Sequence, residues 1–123
     1  MLTAVPGSSA VYKGGVISYT NQVKEEVLGV SREVLEQHGA VSEQSAALMA
    51  AGVRRLLNSD IGVSVTGLAG PSGDGSNNPV GTVFIGYEDT QTRIVKKFLF
   101  NGARDHIRNQ AITAALQLIL EFN

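Results

Sequence analysis

Residues 67–81, GLAGPSGDGSNNPVG, hold five glycines and two prolines in fifteen positions. No regular helix or sheet ladder can run through them, because Pro71 and Pro79 each lack the amide such an interior needs. The segment is therefore a long irregular loop, and what precedes and follows it must form separate elements. IGVSVTG before it is rich in β-branched residues and apolar enough to lie inside a covered sheet. VGTVFIGYE and TRIVKKFLF after it have the same character, with a turn near Asp89-Thr90-Gln91 that predicts an antiparallel pair.

Helical signals flank these strands. GVISYT at Gly15–Thr20 reads as one more strand. Asn21 then caps a short helix through Leu28 that Gly29 stops, and Ser31 caps another through about His38 that Gly39 stops. Ser42 opens a longer helix on which Ala46, Met49, Ala50, Val53, Leu56 and Leu57 recur at three- and four-residue steps. In the tail, Ile107, Ala111, Ala114, Ala115 and Leu118 form the corresponding stripe, with Asn101 or Gly102 as the expected cap. Helices on both sides of an apolar set of strands predict a layered α/β domain. The 123 residues, 43% of them hydrophobic, suffice for one such core.

Charge and composition narrow the function. Ten basic against eleven acidic residues give a formal net charge of −1, so no broad basic field exists for a nucleic-acid backbone. Any anion bound should be small and local. No cysteine and two histidines, His38 and His106, exclude thiolate chemistry and leave no donor set for a dedicated transition-metal site. No apolar run approaches the ~20 residues of a membrane span, and the opening residues lack the pattern of a signal peptide, so a soluble cytoplasmic protein is expected.

Three features can carry chemistry. Lys24 falls about three residues into the first helix, where the amide end disfavours its ammonium form and should lower its pKa. A lysine so lowered can act as a general base, with Tyr19 orienting it or donating a proton; the other reading is a solvated lysine paired with Glu25 or Glu26. TGLAGPSGDG sets small residues directly after a strand, where backbone amides can approach a ligand, although Gly67, Gly70, Gly73 and Gly75 match neither the Walker nor the Rossmann spacing. It reads equally as a plain connector. Arg104 and Arg108 lie four residues apart near the amide end of the last helix, a poor place for two cations unless a phosphate or a carboxylate such as Asp105 sits between them.

Taken in order, LTAVPGSSAVYKGGVISYTNQVKEEVLGV, HGAVSEQSA, SVTGLAGPSG, PVGTV and GARDHIRNQ closely resemble the CinA carboxy-terminal domain family, which includes bacterial nicotinamide mononucleotide deamidases. The resemblance runs from Leu2 into the last helix and treats residues 1–123 as one such domain, shortened at its start. It implies a three-layer α/β/α fold with a mixed sheet, lacking the family's first strand and part of its first helix. It also implies a Ser/Lys amidohydrolase: a serine attacks the nicotinamide amide, a lysine is the base, ammonia leaves, and water releases nicotinate mononucleotide. Lys24 matches the lysine of the family's Tyr-Ser-Asn-x-x-Lys motif and Tyr19 its tyrosine. Asn21, Thr66, Gly67, Gly70, Arg104 and Arg108 would then contact the mononucleotide. No cofactor or metal, no nucleic acid and no membrane is implied, and a homodimer or higher homo-oligomer is expected.

Several positions depart from the family pattern. The Ala-Glu-Ser-Cys-Thr-Gly-Gly segment that supplies the nucleophilic serine is not among these residues, and Ser8 and Ser9 belong to the stretch downstream of it. Thr20 and Gln22 replace the common Ser and Glu beside Tyr19, and Ala103 stands where the family often has Asp. Two classes stay open: a nicotinamide-nucleotide amidase whose nucleophile lies outside this stretch, or a catalytically silent nucleotide-binding or assembly module. Nothing in the chain corresponds to the pyrophosphatase domain of longer CinA-type proteins.

Overall fold

Serine and threonine caps divide the first half of the chain into three helices. In the computed structural model, which describes residues 11–123, these are α1 (Asn21–Glu26), α2 (Arg32–His38) and α3 (Glu43–Leu57). The Ser31 and Ser42 hydroxyls accept the amides of Val34 at 3.2 Å and Ser45 at 3.1 Å, as the sequence predicts. At α1 the cap is Thr20 rather than Asn21: its hydroxyl accepts the Val23 amide, and the helix ends at Glu26 instead of Leu28. Gly39, with φ +81, stops α2, and Asn58, left-handed at φ 49, stops α3 with its amide on the Arg54 and Arg55 carbonyls.

The sheet follows as β1 (Gly62–Gly67), β2 (Thr82–Glu88) and β3 (Arg93–Leu99), in that spatial order and antiparallel throughout. Val65 faces Ile85 across one ladder, and Ile85 faces Lys96 across the other. The Asp89 amide donates to the Thr92 carbonyl at 2.9 Å and closes the β2–β3 turn where the sequence places it. Last comes α4 (Arg104–Glu121), whose N-cap is Ala103, with no side-chain hydrogen bond, in place of the expected Asn101 or Gly102.

The alternation of β2 builds the layers. Val83, Ile85 and Tyr87 point to one face and pack under Ile107, Ala111, Ala114 and Leu118 of α4. Phe84 points to the other face and packs with Val41, Leu68 and Ala46 of α3. Gly86 is on that face too, and a Cβ there would lie 2.5 Å from the Ala46 carbonyl, so glycine lets α3 approach the strand. A third cluster of Leu28, Val30, Leu35 and Met49 seats the α1–α2 arm on α3. The α/β fold with helices on both sheet faces is as expected.

The parallel member of a mixed sheet is not found among the described residues. GVISYT, expected to be one more strand, runs irregularly into Thr20, with Val16 and Ser18 half-buried and Ile17 and Tyr19 exposed. It keeps the two-residue alternation of a strand, but among the described residues it has no neighbouring strand to take its backbone groups. No helix among the described residues is long and apolar enough to cross a membrane.

Candidate functional site

Lys24 is buried at 7% exposure, and its Nζ donates to the Ser18 carbonyl at 2.5 Å. Neither Glu25 nor Glu26 pairs with it; Glu25 is engaged by Arg32 at 3.4 Å. Burial disfavours the charged ammonium, and desolvation lowers the Lys24 pKa from its ordinary value. The direction is the one expected from the helix dipole, but its cause is burial. With α1 only six residues long, Lys24 sits in its last turn, where a dipole would favour a cation. Tyr19 is 85% exposed, and among the described residues it makes no hydrogen bond to Lys24.

Asn21 opens α1. It lines a groove between α1 and α2 with Gln22, Glu25, Glu26, Arg32, Leu35 and Glu36, and those carboxylates repel a phosphate. Thr66 is buried near the end of β1, and its hydroxyl donates to the Ala40 carbonyl at 2.7 Å, tying the strand to the segment that enters α3. Gly67 ends the strand exposed.

From Gly67 the glycine loop crosses toward α4. The Leu68 amide reaches the Thr82 carbonyl at 2.9 Å and the Gly81 amide reaches the Leu68 carbonyl at 2.7 Å, so the loop mouth is stitched shut. Asn78 donates to the Val41 carbonyl at 3.1 Å, an anchor that sequence reading missed because a loop asparagine carries no periodic signal. Gly70 is buried with φ +85, and a Cβ there would stand 2.6 Å from a Val80 methyl, so this position requires glycine twice over. Arg104 donates to its carbonyl at 3.0 Å. Arg104 is thus not paired with Asp105, and Arg108, one turn further on, is exposed with no hydrogen bond or ion pair among the described residues.

The expected residues therefore fall into two groups. Thr66, Gly67, Gly70 and Arg104 are joined through β1, the loop and the start of α4. Lys24, Tyr19 and Asn21 belong to the α1 region, and no hydrogen bond or ion pair among the described residues connects the two groups. The role of Ser18, whose carbonyl receives Lys24, was invisible because main-chain acceptors leave no mark on residue type. Among the described residues no cluster of three or more His, Asp or Glu side chains is placed to hold a metal ion. Ser8 and Ser9 lie outside the described residues.

Residues 1–123 match the family described as the CinA C-terminal domain. A CinA-like protein of Sulfurihydrogenibium sp. is 45% identical over 118 residues, covering 96% of this chain and 30% of that protein. A CinA-superfamily protein from Escherichia coli superposes with a TM-score of 0.96 at 30% identity, covering 99% of this chain and 71% of that one. A competence/damage inducible protein from Agrobacterium tumefaciens gives 0.93 at 35% identity, covering 98% and 74%. The chain spans about 28–30% of the length of the curated relatives it matches.

Proposed function

The chain belongs to the CinA C-terminal domain family, and on that premise we propose that it serves the hydrolysis of nicotinamide mononucleotide to nicotinate mononucleotide and ammonia. The observation that carries the proposal is Lys24: a buried lysine with no carboxylate partner among the described residues, held by one carbonyl and biased toward its neutral form. Such an amine accepts a proton at a pH where an exposed lysine cannot. In the proposed reaction it takes the proton of a serine hydroxyl as that oxygen attacks the amide carbon. Lys24 hands that proton to the amide nitrogen as the C–N bond breaks, so the nitrogen leaves as ammonia, and water then hydrolyses the acyl-serine to the acid and frees the serine. The serine is the one in the family's Ala-Glu-Ser-Cys-Thr-Gly-Gly segment, which is not among these 123 residues.

The amides of the glycine loop and the arginines at the start of α4 are assigned to recognition. In this reading Thr66, Gly67 and Gly70 serve the sugar and amide portion, the end of α4 that carries Arg104 and Arg108 serves the phosphate side, whether by direct contact or by holding the loop, and Asn21 and Tyr19 belong to the Lys24 side. The proposal includes a cytoplasmic setting for the reaction. The test is ammonia release by the 123-residue chain beside the same chain preceded by the family's nucleophile segment. Activity confined to the longer form and abolished by Lys24→Ala supports the proposal; full activity of the short form lost on changing Ser8 or Ser9 refutes the assignment of the nucleophile.

A second reading, a nucleotide-binding module without catalysis, is favoured by one fact: no bond links Lys24 to the loop and arginines among the described residues. Affinity for the mononucleotide with no ammonia release from either form would establish it.

A further inference from the structure

The glycine loop and the last helix are joined by one hydrogen bond between residues 34 apart in sequence, Arg104 to the Gly70 carbonyl. We propose that Arg104 is a positioning residue that clamps this loop to α4, leaving Arg108 as the arginine that meets an anion. Every residue from Pro71 to Asn77 is exposed, and added Cβ atoms at Gly73 and Gly75 would meet only open space, so packing does little to order this stretch. By contrast α4 is fixed: Ile107 and Ala111, three and seven residues beyond Arg104, are buried against β2. Arg104 therefore ties Gly70, the buried residue that leads into this exposed stretch, to a helix packed on the sheet.

The two arginines are unequal for that reason. For its bonded Nη1 to reach a phosphate, Arg104 would have to leave the carbonyl of a buried glycine without its donor. Arg108 has no such commitment among the described residues, and a guanidinium with free N–H groups on the same helix face suits a phosphate's oxygens. Arg104 then acts on a ligand through the loop: it sets where the backbone amides around Gly70 point.

The test has two arms, and only the second rests on the mononucleotide reading. In the first, amide hydrogen exchange is followed without ligand in the chain and in its Arg104→Ala, Arg104→Lys and Arg108→Ala variants. The expected result is exchange roughly 10- to 100-fold faster at the Leu68 and Gly81 amides in Arg104→Ala, the size of one charged hydrogen bond. Partial rescue is expected in Arg104→Lys and no change in Arg108→Ala. Unchanged loop exchange in Arg104→Ala overturns the clamp. In the second arm, calorimetry compares nicotinamide mononucleotide with its dephosphorylated riboside. Arg104→Ala should weaken both by the same factor, whereas Arg108→Ala should weaken only the phosphorylated ligand. Loss of the phosphate preference in Arg104→Ala makes it a direct ligand and overturns the proposal. If the unmodified chain binds neither compound, the mononucleotide reading fails, and the exchange arm still decides whether Arg104 clamps the loop.

Discussion

At the scale of single residues, Lys24 shows how a correct direction can follow from a wrong cause. Residue order placed it near the amide end of a helix reaching Leu28; the helix stops at Glu26, and burial alone lowers its pKa. Burial of a lysine on so short an element depends on tertiary contacts that no local pattern reports. The sign of the stability effect follows. The unfolded chain holds its proton up to about the ordinary lysine pKa of 10.4 and the folded chain releases it earlier, so stability rises with pH between the two values. Below the folded value the penalty of a buried ammonium is fully present. Lys24→Met should therefore be more stable than the parent at neutral pH, with the difference shrinking as pH approaches 10.5. Thermal melts of the two proteins between pH 7 and 11 check this, and a constant difference would contradict it. In a form carrying the nucleophile segment, Lys24→Ala should reduce ammonia release by roughly 10²–10⁴, the range of a lost general base.

At the scale of elements, legibility tracked local chemistry. α2 and α3 were placed from Ser31 and Ser42 because a cap acts within three residues, and the β2–β3 turn was found from Asp89 for the same reason. Gly15–Thr20 failed because a strand exists only with a partner, and composition cannot say whether one is present. The start of α4 failed because Ala103 has no side-chain acceptor to mark it. That defect can be repaired. Ala103→Asp, at a backbone already extended for an N-cap with φ −72 and ψ 168, should stabilise the protein by about 0.5–2 kcal/mol in urea unfolding. Gly52 offers the opposite case. A Cβ there would fall 1.8 Å from the Leu28 carbonyl, so Gly52→Ala should cost about 1–3 kcal/mol and push the α1–α2 arm off α3. Unchanged unfolding would show that the arm is not seated there.

At the scale of the whole molecule, the two sheet edges differ. β3 carries Arg93, Lys96 and Lys97, charges of the kind that discourage a further strand from pairing. β1 is uncharged along its length and its outer edge is unpaired among the described residues, with Val65 44% exposed. A dimer or larger assembly through that edge is expected at working concentrations, and Val65→Lys should shift it to monomer in light scattering. A monomeric parent would count against this. The fold class was legible because it rests on alternation and period. The candidate site was legible only as a set of residue types, since the loop's attachment to Arg104 joins positions 34 apart that no short motif spans. The α1–α2 arm has its own small core of Leu28, Val30, Leu35 and Met49, separate from the two clusters that hold the sheet. Heat can therefore loosen the arm while the sheet ladders stay closed, and the lysine it carries would then be rehydrated and recharged. Any catalysis that depends on Lys24 should fail some degrees before the molecule melts, and return on cooling.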